Sequence, residues 1–228
     1  MAMESNRIEF DRDVRKEEYI EKVFKKSHIY FESEKTANRV EYMFVCDKET
    51  KNRILCALIC SFYKFNEIMR VFGDKETDAA FYALIGALIG LDSEEDVDKV
   101  SSAIVKYDFI NVDGFYNFCI PEIKEAWRGL AELAKRLYVQ CKSTDEVYAL
   151  CIFMLGMGDN EGETIVITPR KELYWEYNKT DISVIPYFGE KEADLIVTLL
   201  SNHPSNVVVS DPSSVSGKLI SVIKALGE

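Results

Sequence analysis

Histidine is nearly absent from this chain. Only His28 and His203 occur in 228 residues, and neither has a second histidine at ligand spacing. A histidine-built metal centre therefore has little to draw on. Cys56 and Cys60 stand one helical turn apart, and a zinc site there would need two more ligands, of which Cys46 is the nearest candidate. Long apolar runs are missing as well. The longest, 54–63 and 79–91, fall short of the roughly 20 residues that span a bilayer, which argues against a membrane span. No hydrophobic signal segment precedes the first charged residues. Positive charge is in deficit, with 28 Lys and Arg against 39 Asp and Glu, for a net charge of −11. A protein that wraps phosphates needs a basic patch to displace counterions, so nucleic acid is the least favoured partner. The densest basic stretches, 12–16 and 22–26, are interleaved with Glu and read as solvated helix faces.

Catalytic wording is missing too. There is no Gly-x-Ser-x-Gly turn and no P-loop, and Gly156-Met157-Gly158 follows a helix rather than the strand that a dinucleotide fingerprint needs. The acidic loop with Asp159, Glu161 and Glu163 lacks the ligand pattern of an EF-hand. No residue is nominated as catalytic, and no cofactor or metal is called for.

What the chain does have is an ordinary globular composition, 47% hydrophobic and 29% charged, with 13 Phe and 12 Tyr. Its six cysteines, 46, 56, 60, 119, 141 and 151, mostly sit among Leu, Ile, Phe and Val. They read as reduced, metal-free core residues of a cytoplasmic protein.

Helical spacing dominates to about residue 157. It predicts helices over 11–28, 33–46 (with Ala37, Val40, Met43 and Phe44 inward), 52–71, 79–91 and 92–107. In the third of these Ser61, Lys64, Asn66, Glu67 and Arg70 are the polar relief. Gly73 and Asp74 break the chain and supply the next cap. The nearly all-apolar 79–91 helix should be central, with Gly86 and Gly90 allowing another helix to approach closely. Pro121 opens a long helix, and Ser143 or Thr144 caps a short one over 147–157. At 156–162 a Gly-rich turn marks the preferred boundary. Beyond it 164–168 is a strand, 173–177 its hairpin partner and 182–185 a further extended piece. A helix over 190–202, a buried Val-Val-Val strand over 206–210 and a last helix over 213–226 complete the chain. The expected fold is α+β: a mainly helical N-terminal domain, 1–157, followed by a small α/β domain, 162–228, in the order β-β-α-β-α.

One stretch stands out by wording rather than periodicity. Residues 107–120 read Tyr-Asp-Phe-Ile-Asn-Val-Asp-Gly-Phe-Tyr-Asn-Phe-Cys-Ile. The Gly114-Phe115-Tyr116-Asn117-Phe118-Cys119-Ile120 portion resembles the Gly-Phe-x-x-Phe-Arg-Leu segment of the YtxC-like sporulation protein family of spore-forming bacteria. Residues 147–168 and the ending, from Asp194 through Val207-Val208-Val209 to Leu226, are similar to the same family. Cys119 stands where the family has Arg, so no role of that Arg carries over. The resemblance implies a sporulation setting in a bacterial cytoplasm and no particular chemistry.

The leading functional expectation is a non-enzymatic regulatory or interaction protein with a protein partner. The rival is an enzyme or small-anion binder in the C-terminal part, where Asp211, Ser213, Ser214, Ser216 and Lys218 surround a helix start that could offer backbone N–H groups. Phe115, Phe118 and Trp127 are expected to point into the helical core. If they do not, the 107–120 stretch becomes a partner-binding surface.

Overall fold

A computed structural model describes residues 3–73, 78–107, 109–156 and 163–226. The chain divides into two compact units, one made of Met1–Glu67 and Asp92–Arg128, the other of Ile68–Leu91 and Gly129–Glu228. The Gly-rich turn at 156–162 lies, from residue 157 on, outside the described residues, as does Asp74.

The first unit is built on a sheet that helical spacing did not foresee. Strand β1 (Glu4–Asp11) buries Asn6, Ile8 and Phe10 and sends the residues between them outward. Helix α1 (Val14–Lys26) follows, its first turn capped by Asp13, whose carboxylate accepts from the Arg15 N–H. Strands β2 (Phe31–Lys35) and β3 (Arg39–Cys46) come next. β3 pairs antiparallel with β1 along its whole length, from Glu4 opposite Cys46 to Asp11 opposite Arg39. A two-residue strand, β4 (Ile110–Asn111), adds to β1 in parallel, and the order is β2-β3-β1-β4.

The expectation of a mainly helical N-terminal region is therefore wrong. The helix expected over 33–46 is strands β2 and β3. Val40, Tyr42, Phe44 and Cys46 are buried in strict alternation, the two-residue period of a pleated strand. Val40, Met43 and Phe44 also satisfy an i, i+3, i+4 pattern, so the same residues fit both readings. β-branched and aromatic content on a half-buried surface decides for the strand. The inner face is aromatic: Phe24 of α1 lies 4.8 Å from Phe44, 5.0 Å from Phe31 and 5.7 Å from Tyr42, between ring centroids.

Three helical segments follow the sheet strands β1 to β3. Helix α2 (Lys48–Leu58), a π-helical turn (Ile59–Tyr63) and helix α3 (Lys64–Phe72) form one continuous run, which passes into the second unit within α3. In the second unit, helix α4 (Ala79–Gly90) is capped by Asp78. Helix α5 (Ser93–Ile104) returns to the first unit. After β4 come helix α6 (Val112–Phe118) and the 20-residue helix α7 (Pro121–Gln140), which again passes into the second unit.

In the second unit, α4 is buried from Ala80 through Gly90 and packs on α8 (Thr144–Leu155) and α9 (Lys191–Ser201). A Cβ added at Gly86 would stand 2.7 Å from the Leu200 Cβ and 2.8 Å from the Val197 carbonyl oxygen, so only glycine lets α9 come this close. Strands β5 (Thr164–Ile167), β6 (Leu173–Trp175), β7 (Asp181–Ile182) and β8 (Asn206–Val209) form a second sheet in the order β7-β6-β5-β8. β8 runs parallel to β5, with α9 in the crossover between them. It is an edge strand rather than a buried one: Val208 is exposed and its two neighbouring valines are half-buried. The chain ends in helix α10 (Gly217–Leu226). No helix among the described residues is long and apolar enough to cross a membrane.

Candidate protein-interaction surface

The 107–120 stretch lies wholly in the first unit. It is fastened from below by polar bonds and leaves aromatic rings outside. The fastening starts at Asn111, whose side-chain oxygen caps α6 by accepting from the Gly114 N–H at 2.7 Å. Asp113 then ties three elements together. It accepts from the Tyr63 hydroxyl at 2.7 Å and the Lys16 ammonium at 3.4 Å, and from the backbone N–H of Asp11. Burial first, and the Asp113 charge second, push the Tyr63 phenol well above its ordinary pKa, so it stays a donor at any physiological pH.

Beneath α6 and α7 lie two buried carboxylates. Glu67 has no exposed surface and accepts from the Tyr116 hydroxyl at 2.5 Å and from Arg128 at 3.3 Å, with the Lys124 ammonium 3.7 Å away. Asp96 accepts from Lys64 at 2.6 Å and from the Trp127 indole at 2.9 Å. Lys64 and Glu67, read from the sequence as polar relief of an apolar run, are thus buried polar anchors. A π-helical turn, Ile59–Tyr63, immediately precedes Lys64 in the run. Their signal in the sequence was weak, because two charges three residues apart in an apolar run also describe a surface stripe.

Of the three aromatic residues expected in the core, Phe115 and Trp127 are buried, but Phe118 is 84% exposed. The inward stripe of α6 is Val112, Phe115 and Tyr116. At about 100° per residue, Phe118 projects roughly 110° away from the middle of that stripe. Both residues belong to α6, so it is the phase of the helix, with Val112 and Tyr116 inward on the far side of Phe115, that leaves Phe118 outside. Tyr107 and Phe109 are also nearly half exposed, and the Arg7 guanidinium stands 5.3 Å over the Phe109 ring. The Tyr107 hydroxyl and the Cys119 sulfur lie 3.4 Å apart. That contact raises the Tyr107 pKa.

Phe118 forms one wall of a hollow of about 740 Å³ between α5 and the start of α7. Ala103, Ile120, Pro121 and Ile123 supply its apolar lining, and Asp98, Lys99 and Glu122 its charged rim. Lys99 is held by Glu95 at 2.6 Å. On the other flank of α5 a larger cleft of about 1080 Å³ is lined by the half-exposed Val97 and Val105 and by α2, including Asn52, Arg53 and Cys56. Burial pushes the Cys56 thiol up to about 11, so it presents no thiolate nucleophile there near neutral pH.

The C-terminal residues singled out from the sequence do gather locally. Asp211 caps a three-residue 3₁₀ turn, Pro212–Ser214, accepting from the Ser213 N–H at 3.0 Å and from its hydroxyl at 2.7 Å. The Ser214 hydroxyl donates to the Asp211 carbonyl, and the Ser216 hydroxyl accepts from the Lys218 N–H. The Ser216 N–H donates to the Glu192 carboxylate at 3.1 Å. The Ser213 and Ser216 N–H groups are thus already engaged by carboxylates. No group of three or more His, Cys, Asp or Glu side chains among the described residues could hold a metal ion. Comparison of the chain with family models, curated proteins and solved structures finds no match in any of the three.

Proposed function

We propose that this chain acts by binding another protein, as a non-enzymatic regulatory or interaction protein, through the face that carries Phe118, and that its setting is bacterial sporulation. The observation that carries the binding reading is the 84% exposure of Phe118 beside an apolar hollow. A large aromatic side chain left in water beside apolar surface gains free energy when a partner covers it. Aromatic residues of this kind are the usual energetic anchors of interfaces. The rigid polar fastening beneath the segment supports the same reading, because a preorganised surface loses less entropy on binding. The sporulation setting rests on the wording of residues 114–120, and the acidic net charge supports a protein rather than a nucleic acid as the ligand.

A photo-reactive phenylalanine analogue at position 118, introduced in the native host during sporulation, tests this. A discrete cross-linked protein, together with fewer heat-resistant spores from a strain carrying Phe118→Ala at normal protein level, is the expected result. Normal spore counts and no cross-linked product at any stage of sporulation would refute it.

A further inference from the structure

We infer that the occupant of the Phe118 hollow is a basic amphipathic segment of another protein, with one or two apolar anchors flanked by lysine or arginine. This deepens the proposal above and rests on its reading of the Phe118 face as a partner surface. The hollow, about 740 Å³, is of a size that takes a few side chains rather than a whole domain face. Its apolar lining and the Phe118 ring select the anchor.

The rim selects the charge. Asp98 and Glu122 are both exposed, and neither has an ion-pair partner among the described residues. The single rim cation, Lys99, is already matched by Glu95. The hollow therefore presents unanswered negative charge around an apolar floor. Glu122 stands in the first turn of α7, where the helix dipole offsets part of its charge, whereas Asp98 lies beyond the first turn of α5, out of reach of that helix's dipole. The net charge of −11 adds a long-range field of the same sign, which speeds encounter with a cationic segment. A second copy of the chain would bring two such rims and two such fields together, and an acidic or phosphorylated segment would meet repulsion at the rim.

The test is a display library of random peptides of about 15 residues, the length of helix or strand that such grooves take. It is selected on the full chain and counter-selected on Phe118→Ala. The expected survivors carry Leu, Ile, Met or Phe flanked by Lys or Arg. A synthetic survivor should bind about threefold to tenfold more weakly to the double variant Asp98→Asn, Glu122→Gln, and more weakly in about 0.5 M than in about 0.05 M salt. Circular dichroism verifies that the variants are folded. Survivors that are neutral or acidic, or that ignore the double variant, would overturn the basic partner and leave the interaction surface standing. The same holds if no peptide survives but the chain sediments as a dimer that Phe118→Ala dissociates, with a second copy then the occupant. If no peptide survives and no Phe118-dependent self-association is found, both readings fall.

Discussion

At the scale of single residues, two phenylalanines three positions apart have opposite fates, and their variants should separate cleanly. Phe115→Ala empties a buried site and should cost about 3–5 kcal/mol. Phe118→Ala removes a ring that touches mostly water and should stay within about 0.5 kcal/mol of the parent. Denaturant midpoints check both. The Asp96 site gives a second prediction. Asp96→Ala takes the carboxylate from the buried Lys64 ammonium and the Trp127 indole, and should cost about 3–5 kcal/mol. Replacing both partners, Lys64→Met with Asp96→Leu, should recover most of that loss, because the desolvation cost disappears with the pair.

A third prediction concerns the thiols and pH. Burial raises the pKa of Cys46 and Cys60, that of Cys56 to about 11 and that of Cys151 to about 12. Native protein treated with iodoacetamide near pH 8 should therefore be labelled first at the exposed Cys119, with all six reacting only after unfolding. Mass spectrometry of the labelled peptides reads this directly. In acid, Asp47 matters: its hydrogen bond from the Thr50 N–H lowers its pKa below the usual 3.8. A folded value below the unfolded one contributes stability above about pH 4 that is lost as pH falls through the folded value. Asp47→Asn should flatten the acid limb of melting temperature against pH.

At the scale of elements, periodicity was legible where one face alone is buried and ambiguous where two periods fit. The helices α1, α4 and α7 and the strand β5 could be read because helical spacing, a nearly all-apolar run, Pro121 and the unbroken β-branching of Thr164 to Ile167 mark them in turn, although the cap of α4 is Asp78 and not the 73–74 pair. β1 could not, because Glu9, Asp11 and Arg12 around Ile8 and Phe10 look like the charged face of the helix that begins at Val14. β3 failed for the double fit of Val40, Met43 and Phe44. The exposed edge position of β8 was illegible for another reason: three consecutive valines say strand, and only the sheet order says edge. The Phe118 surface was half legible. Its wording drew notice, but its exposure depends on which face of α6 turns inward, and Val112, Phe115 and Tyr116 take that face. The close approach of α4 and α9 was legible from Gly86 and can be broken there. Gly86→Val would press a branched side chain into Leu200 and the Val197 carbonyl oxygen. Overpacking of this kind costs about 1–3 kcal/mol, occasionally more, and a lowered denaturant midpoint with unchanged helix content is the expected sign.

At the scale of the whole molecule, the path of the chain is the fact that sequence periodicity hides. Each compact unit takes two segments of chain, and the junctions fall at 67–68, 91–92 and 128–129, twice inside a helix. Nothing in local composition marks such points, since α3 and α7 keep their helical spacing through them. This has a consequence for any shortened form. Helix α4, buried from Ala80 through Gly90, belongs to the same unit as α8, α9 and α10 and packs on all three. A fragment ending at residue 157 would keep α4 and α8 but lose α9, the helix seated on Gly86, and the sheet of β5 to β8. It would expose an apolar helix with no charged residue on any face, the kind of surface that drives aggregation. The fragment 1–157 is therefore expected to be aggregated or to bind a hydrophobic dye strongly. Adding the separate 163–228 fragment during refolding should restore a soluble complex to the extent that α9 finds α4. Size-exclusion chromatography of the two fragments, alone and co-refolded, decides it: a monomeric, cooperatively melting 1–157 fragment would show that α4 can be covered without α9.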